Sequence, residues 1–136
     1  MNAILLLALL IFPDPPIIPV QPPENVIVWS GALSYYDQEP SEATLAYRLD
    51  LGHIQPGYDA YIAVADCALI GHVGTVTYEE TAVSLDVQVF DCAGADGVVD
   101  GVALITSSGI ACELDYAAWN EYGRGQVEVT INREAD

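Results

Sequence analysis

The chain contains no lysine. Its 136 residues carry three cations, Arg48, Arg124 and Arg133, against 20 acids, for a formal net charge of −17. Nucleic-acid binding draws its affinity from counterions released by several cations, so this shortage excludes nucleic acid as a partner. An anionic membrane surface is disfavoured by the same long-range repulsion. Metal-ligand spacing is missing too. Cys67, Cys92 and Cys112 form no C-x-x-C pair, and neither His53 nor His72 has a partner at zinc-ligand spacing. Asp91, Asp96 and Asp100 in DCAGADGVVDG stand five and four residues apart, which is not the ligand spacing of a calcium loop. No metal or other cofactor is therefore expected. The longest apolar run, Ala3 to Phe12, has 10 residues, about half of a membrane-spanning helix, so no stable span is expected.

What is present is apolar. Hydrophobic residues make up 52% of the chain, too many for an acidic disordered tail, and the length suits one small domain. The partners left open are neutral, such as carbohydrate, or cationic, such as amines. Ala3–Phe12 matches the apolar section of an export signal, although no cation precedes it and no small-x-small cleavage site follows. Six of the eight prolines then fall between Pro13 and Pro23, a composition that stays extended. Residues 1–25 are thus expected to be a signal-like, anchoring or docking arm, and residues 26–136 the folded domain. An arm that docks on a second copy would make the chain a self-assembling one.

From Val26 onward, short β-branched and aromatic runs alternate with Gly, Asp and Ser. The expected strands are Val26–Tyr36, Ala60–Ala65, Gly74–Tyr78, Val83–Phe90, Gly101–Ile105 and Gln126–Ile131. In Val83–Val89 the valines and Leu85 fall on one face and Ser84, Asp86 and Gln88 on the other, the mark of a half-buried strand. A short helix is expected at Asp115–Glu121, with Asp115 as its cap and Gly123 ending it, and a second around Ser41–Tyr47 with Ser41 capping. Six strands with one or two short helices predict an all-β fold closed into a small barrel.

Three aspartates stand where an apolar run gives way to a turn: Asp66 after Tyr61–Ala65, Asp91 after Val87–Phe90, and Asp115 after Gly109–Leu114. Taken singly, each is an ordinary cap or turn residue. Taken in order they form a pattern. Ala63-Val64-Ala65-Asp66 with Gly74-Thr75, then Val89-Phe90-Asp91-Cys92-Ala93-Gly94, then Leu114-Asp115-Tyr116, and finally Trp119 through Gly123 to Val129 resemble the motifs of the three-aspartate domain, a double-psi β-barrel family. Gly31-Ala32-Leu33-Ser34-Tyr35-Tyr36 is similar to the opening of rare lipoprotein A-like and expansin-like barrels. Cys67 stands where the family usually carries proline, and His72-Val73 separates Gly71 from Gly74-Thr75.

The resemblance implies a six-stranded double-psi β-barrel that is secreted or held at the cell surface and acts on peptidoglycan or another polysaccharide. In the lytic transglycosylases of this group, one carboxyl protonates the glycosidic oxygen and then takes a proton from the sugar's own hydroxyl. On that reading Asp91 is the general acid/base, Asp66 its electrostatic neighbour, and Asp115 the residue that orients the site or caps the helix. Tyr35, Tyr36 and Trp119 offer stacking faces for sugar rings, or pack in the core. If the aspartates converge, Cys67 and Cys92 lie close enough to bridge. A Cys92–Cys112 bridge, or none, are the other arrangements. Two further roles suit the same fold: binding glycan without cleaving it, and building an extracellular or virion-like array.

Overall fold

The computed structural model describes residues 25–134. The arm expected over residues 1–25 lies outside them, apart from Asn25. Short strands with valine, isoleucine and leucine on one face must bury that face, and here six of them do so by closing on one another. They are β1 (Val26–Tyr35), β2 (Ala60–Val64), β3 (Val73–Tyr78), β4 (Ser84–Cys92), β7 (Ile110–Leu114) and β8 (Gln126–Asn132), closed in the order β1-β7-β2-β4-β3-β8. The interior is filled by Leu33, Ile62, Val76, Leu85, Val87, Val89, Val127, Val129 and Ile131 among others. Trp29 joins them, its indole N–H donating to Ala111 O at 3.0 Å.

Two neighbouring pairs, β1/β7 and β2/β4, are parallel, and the other four are antiparallel. Exchanging β1, β2 and β3 for β4, β7 and β8 leaves both the order and every parallel or antiparallel sense unchanged. The barrel is thus two interlocked halves in the double-psi arrangement. Matching backbone bonds close the two parallel pairs, Tyr36 N–H to Leu114 O at 2.8 Å and Ala93 N–H to Val64 O at 2.9 Å. Between β1 and β2 the first half inserts α1 (Gln38–Asp50). At the equivalent place the second half inserts a separate hairpin, β5 (Gly97–Val99) and β6 (Val102–Leu104). After β2 comes one 3-10 turn, Cys67–Leu69, and after β7 comes α2 (Tyr116–Tyr122).

Five of the six expected strands lie in the barrel wall, with ends moved by one or two residues. The sixth does not. Gly101–Ile105 contributes to the β5–β6 hairpin, turned by Asp100-Gly101 with both φ angles positive, as a two-residue Asp-Gly turn requires. The wall strand is Ile110–Leu114, whose Ala, Cys and Glu carry little β preference and whose burial comes from both neighbours. The first helix is longer than the expected Ser41–Tyr47, and Ser41 sits inside it rather than capping it. Ser41 is buried, and its hydroxyl accepts the Tyr116 N–H at 3.0 Å, tying α1 to the start of α2. Gln88, expected on a solvated face, is buried; its amide accepts from Gln55 N–H and donates to Gly71 O.

Gly74 sits where β3 crosses β8, and a Cβ there would overlap the carbonyl oxygen of Thr130. Gly74→Ala is therefore expected to lower stability by about 1–3 kcal/mol through forced separation of the two backbones. A shift of the urea midpoint checks this, with Gly94→Ala, which meets nothing within 4 Å, as the control.

Candidate active site

The outer face of the barrel carries a row of residues set by strand register. Ser34 on β1 pairs Glu113 on β7, Glu113 pairs Ala63 on β2, and Ala63 pairs Asp91 on β4. Paired residues point to the same side of a sheet, so Glu113 and Asp91 flank the small, buried Ala63. Asp91 reaches this face through an irregularity. The pairing passes from Ile62–Val89 directly to Ala63–Asp91, so Phe90 is one extra residue in β4. An extra residue turns the chain, and Phe90 joins Ile54 and Ala63 in a small outer cluster, with Tyr36, Leu45 and Tyr61 packed against it.

The end of β1 and helix α1 close over this row. The Tyr36 hydroxyl donates to Asp91 Oδ2 at 2.5 Å, and its ring packs on Phe90 with centroids 5.1 Å apart. Arg48 on α1 donates through Nε to Phe90 O at 3.0 Å, and its Nη2 stands 3.5 Å from Asp91 Oδ1. Its Nη1 is 2.9 Å from His53 Nδ1. Burial, followed by the bond to Asp91, raises the Tyr36 phenol above its ordinary value. Glu113 is raised as well, first by burial and then by the charges of Asp37 and Asp91. Beside it, Tyr35, Tyr36, Asp37, Pro40 and Glu113 line a shallow groove of about 250 Å³.

The three aspartates do not share this site. Asp115 is 5% exposed and both its oxygens are engaged, accepting from Tyr61 N–H at 2.8 Å and Ala118 N–H at 3.2 Å. It caps α2 and holds β2. Asp66 is exposed and caps the 3-10 turn by accepting from Ala68 N–H at 2.9 Å. It faces a different groove, beside Ile27, Trp29, Val102 and Arg133. Asp66 and Asp115 each stand just beyond the end of a wall strand, two residues past Val64 and one past Leu114, where a helical turn begins, and this gives them their common role as caps. Asp91 is the one of the three whose carboxylate bonds titratable side chains, Tyr36 and Arg48. Of the three aromatics, Tyr36 bonds Asp91 directly. Tyr35 is 43% exposed and packs its ring 5.2 Å from Trp119, which itself leans on the barrel core.

Cys67 and Cys92 form a disulfide, pinning the end of β4 to the turn after β2, while Cys112 is buried and unpaired. No group of three or more His, Cys, Asp or Glu among the described residues is arranged to hold a metal ion. A larger cavity, of about 630 Å³, lies away from the row and is lined by Tyr78, Glu79, Glu80, Glu121 and Tyr122.

No protein-family model, curated protein or solved structure matches the chain.

Two members of the site escaped the sequence reading, Glu113 and Arg48. Each had a signal: Glu113 is a carboxylate inside the apolar run Ile110-Ala111-Cys112-Glu113-Leu114, and Arg48 is one of three cations in a lysine-free chain. The raised Glu113 has a consequence for stability. Below its ordinary value of 4.5 both folded and unfolded chains are protonated there. Above it, up to the raised folded value, only the folded chain keeps the proton, so stability falls as pH rises through that window and then levels off. Glu113→Gln should remove this fall. Urea midpoints of the two proteins, followed upward from pH 4, are expected to diverge in favour of the variant.

Proposed function

We propose that the protein is a secreted, glycan-acting barrel in which Glu113 donates the proton and Asp91 is its charged partner. The observation that carries this reading is the row Glu113–Ala63–Asp91 beside an open groove edged by Tyr35 and Tyr36. Cleavage of a glycosidic bond needs a carboxyl still protonated at the working pH, and burial with nearby negative charge shifts Glu113 toward that form. Asp91 was expected to be the acid. Its place beside Arg48 and Tyr36 suits it better to a charged role. In a lytic reaction, Glu113 protonates the leaving oxygen and, as the carboxylate, accepts a proton from the hydroxyl that closes the anhydro ring. Asp91 stabilises the positive charge that develops on the sugar ring. The Cys67–Cys92 disulfide supports an oxidising compartment, and no helix among the described residues is long and apolar enough to cross a membrane. The wall substrate rests on the resemblance of the motifs.

A second outcome at the same site is hydrolysis. Glu113 and Asp91 sit on strands two apart, with backbones roughly 9–10 Å from each other, and a water admitted between their side chains would give cleavage with inversion.

Purified peptidoglycan incubated with the protein should release anhydro-sugar ends. Glu113→Gln should reduce that release by at least about a hundredfold, on the scale of general acid catalysis, with a melting temperature no lower than that of the unmodified protein. Reducing ends in place of anhydro ends would establish the hydrolytic route. Absence of any product from the unmodified protein, with retention on the glycan lost in Tyr35→Ala, would leave a binder.

A further inference from the structure

The extra residue in β4 leaves one backbone group without a place in the ladder. Phe90 is skipped in the pairing with β2, and its carbonyl is met instead by the Arg48 Nε–H at 3.0 Å. A bulge persists when its displaced groups find partners, and this one turns Asp91 onto the face it shares with Glu113. The same guanidinium extends Nη2 toward Asp91 Oδ1. One planar fork thus grips both the bulge and the residue that the bulge redirects. Lysine, with a single point of charge, cannot reproduce that pair of contacts. The Arg48 guanidinium has two further neighbours, the Tyr47 ring 5.5 Å from its central carbon and His53 Nδ1 2.9 Å from Nη1.

We propose that Arg48 is a positioning residue of this site: by clamping the bulge at Phe90 and one oxygen of Asp91, it sets the direction of Asp91 and how strongly its charge acts on Glu113. The inference rests on the proposed acid–base role of Glu113 and Asp91 for its meaning in a reaction, but its test needs no substrate. Glu113 faces Asp37 and Tyr36 from the end of β1 and Asp91 from β4, and Arg48 is the cation bonded to that group.

The experiment is a cycle of Arg48→Gln and Asp91→Asn, reading the Glu113 carboxyl titration by carbon NMR. Arg48→Gln alone should move the Glu113 midpoint upward, because Asp91 loses its balancing charge. In the Asp91→Asn background the same change should leave it in place. Arg48→Lys, which keeps the charge and loses the fork, should fall between wild type and Arg48→Gln. An unmoved midpoint in Arg48→Gln would overturn the proposal. So would an equal shift in both backgrounds, which would mean that Arg48 acts on Glu113 directly. If far-ultraviolet circular dichroism shows Arg48→Gln unfolded, Arg48→Lys carries the same cycle with the same two outcomes. Where glycan cleavage is measurable, Arg48→Gln should lower kcat by about tenfold or more with KM little changed, the effect of a misdirected group. Failure of cleavage in the unmodified protein would count against the glycan reading and leave the titration result standing.

Discussion

The geometry of the outer face depends on the bulge at Phe90. In a regular strand Asp91 would alternate with Phe90 and point toward the barrel interior, among Val87, Val89 and the residues that fill it. A carboxylate in that core would be uncompensated and strongly destabilising. One extra residue instead puts Phe90 and Asp91 on the same side. Phe90 covers Ala63 and Ile54 with its ring, and Asp91 meets the Tyr36 hydroxyl and Arg48. Packing and polarity at the end of β4 are therefore one arrangement: the apolar ring supports the surface on which the charged group sits.

The charge balance of the molecule looks different from within this site. A chain with 20 acids and three cations has little with which to compensate carboxylates locally. One of its three arginines is committed to Asp91, and Glu113 has no cation among its described hydrogen-bond or ion-pair partners. Without an opposing cation, burial and the neighbouring acids Asp37 and Asp91 push Glu113 in the same direction. Scarcity of positive charge is thus what allows a half-buried glutamate to differ from the solvated acids around it. The same scarcity weighs against an anionic substrate.

Much of the barrel was legible in the residues, because five wall strands carry β-branched residues at period two or in short continuous runs. Ile110–Leu114 was not, since its sequence shows neither pattern and its position is fixed by β1 and β2 on either side. Asp115 as a helix cap and Gly123 as its end followed from local chemistry and were found in place. The disulfide between Cys67 and Cys92 was one of several open pairings, and register decides it: Val64 pairs Cys92, and Cys67 begins the turn just beyond. The three aspartates looked like one set because they occupy the ends of three strands. Strand ends of a closed barrel point in several directions, and two of those positions are the natural places for caps. Glu113 was hidden for another reason, as an acid inside the short apolar run of β7 whose significance appears only when β7, β2 and β4 are laid side by side.

The two-fold exchange of halves shows why one site forms rather than two. Glu113 and Ala63 occupy equivalent positions and pair with each other, while Asp91 is equivalent to Ser34. Both carboxylates therefore come from the second half, and their counterparts in the first are the small residues Ala63 and Ser34. The cover shows the reverse division. Tyr36, Asp37 and Arg48 come from the end of β1 and from α1, in the first half, whereas the second half places the β5–β6 hairpin at the corresponding point. A symmetric scaffold thus receives acids from one half and their partners from the other, across the row in which the halves meet. Carboxylates on both halves would set four acids along one row with a single arginine to oppose them, and mutual repulsion would be relieved only by protonation or by parting the strands. Alanine at position 63 is, on this argument, as much a part of the site as the acids on either side of it: it keeps them apart and lets Phe90 close over the space between.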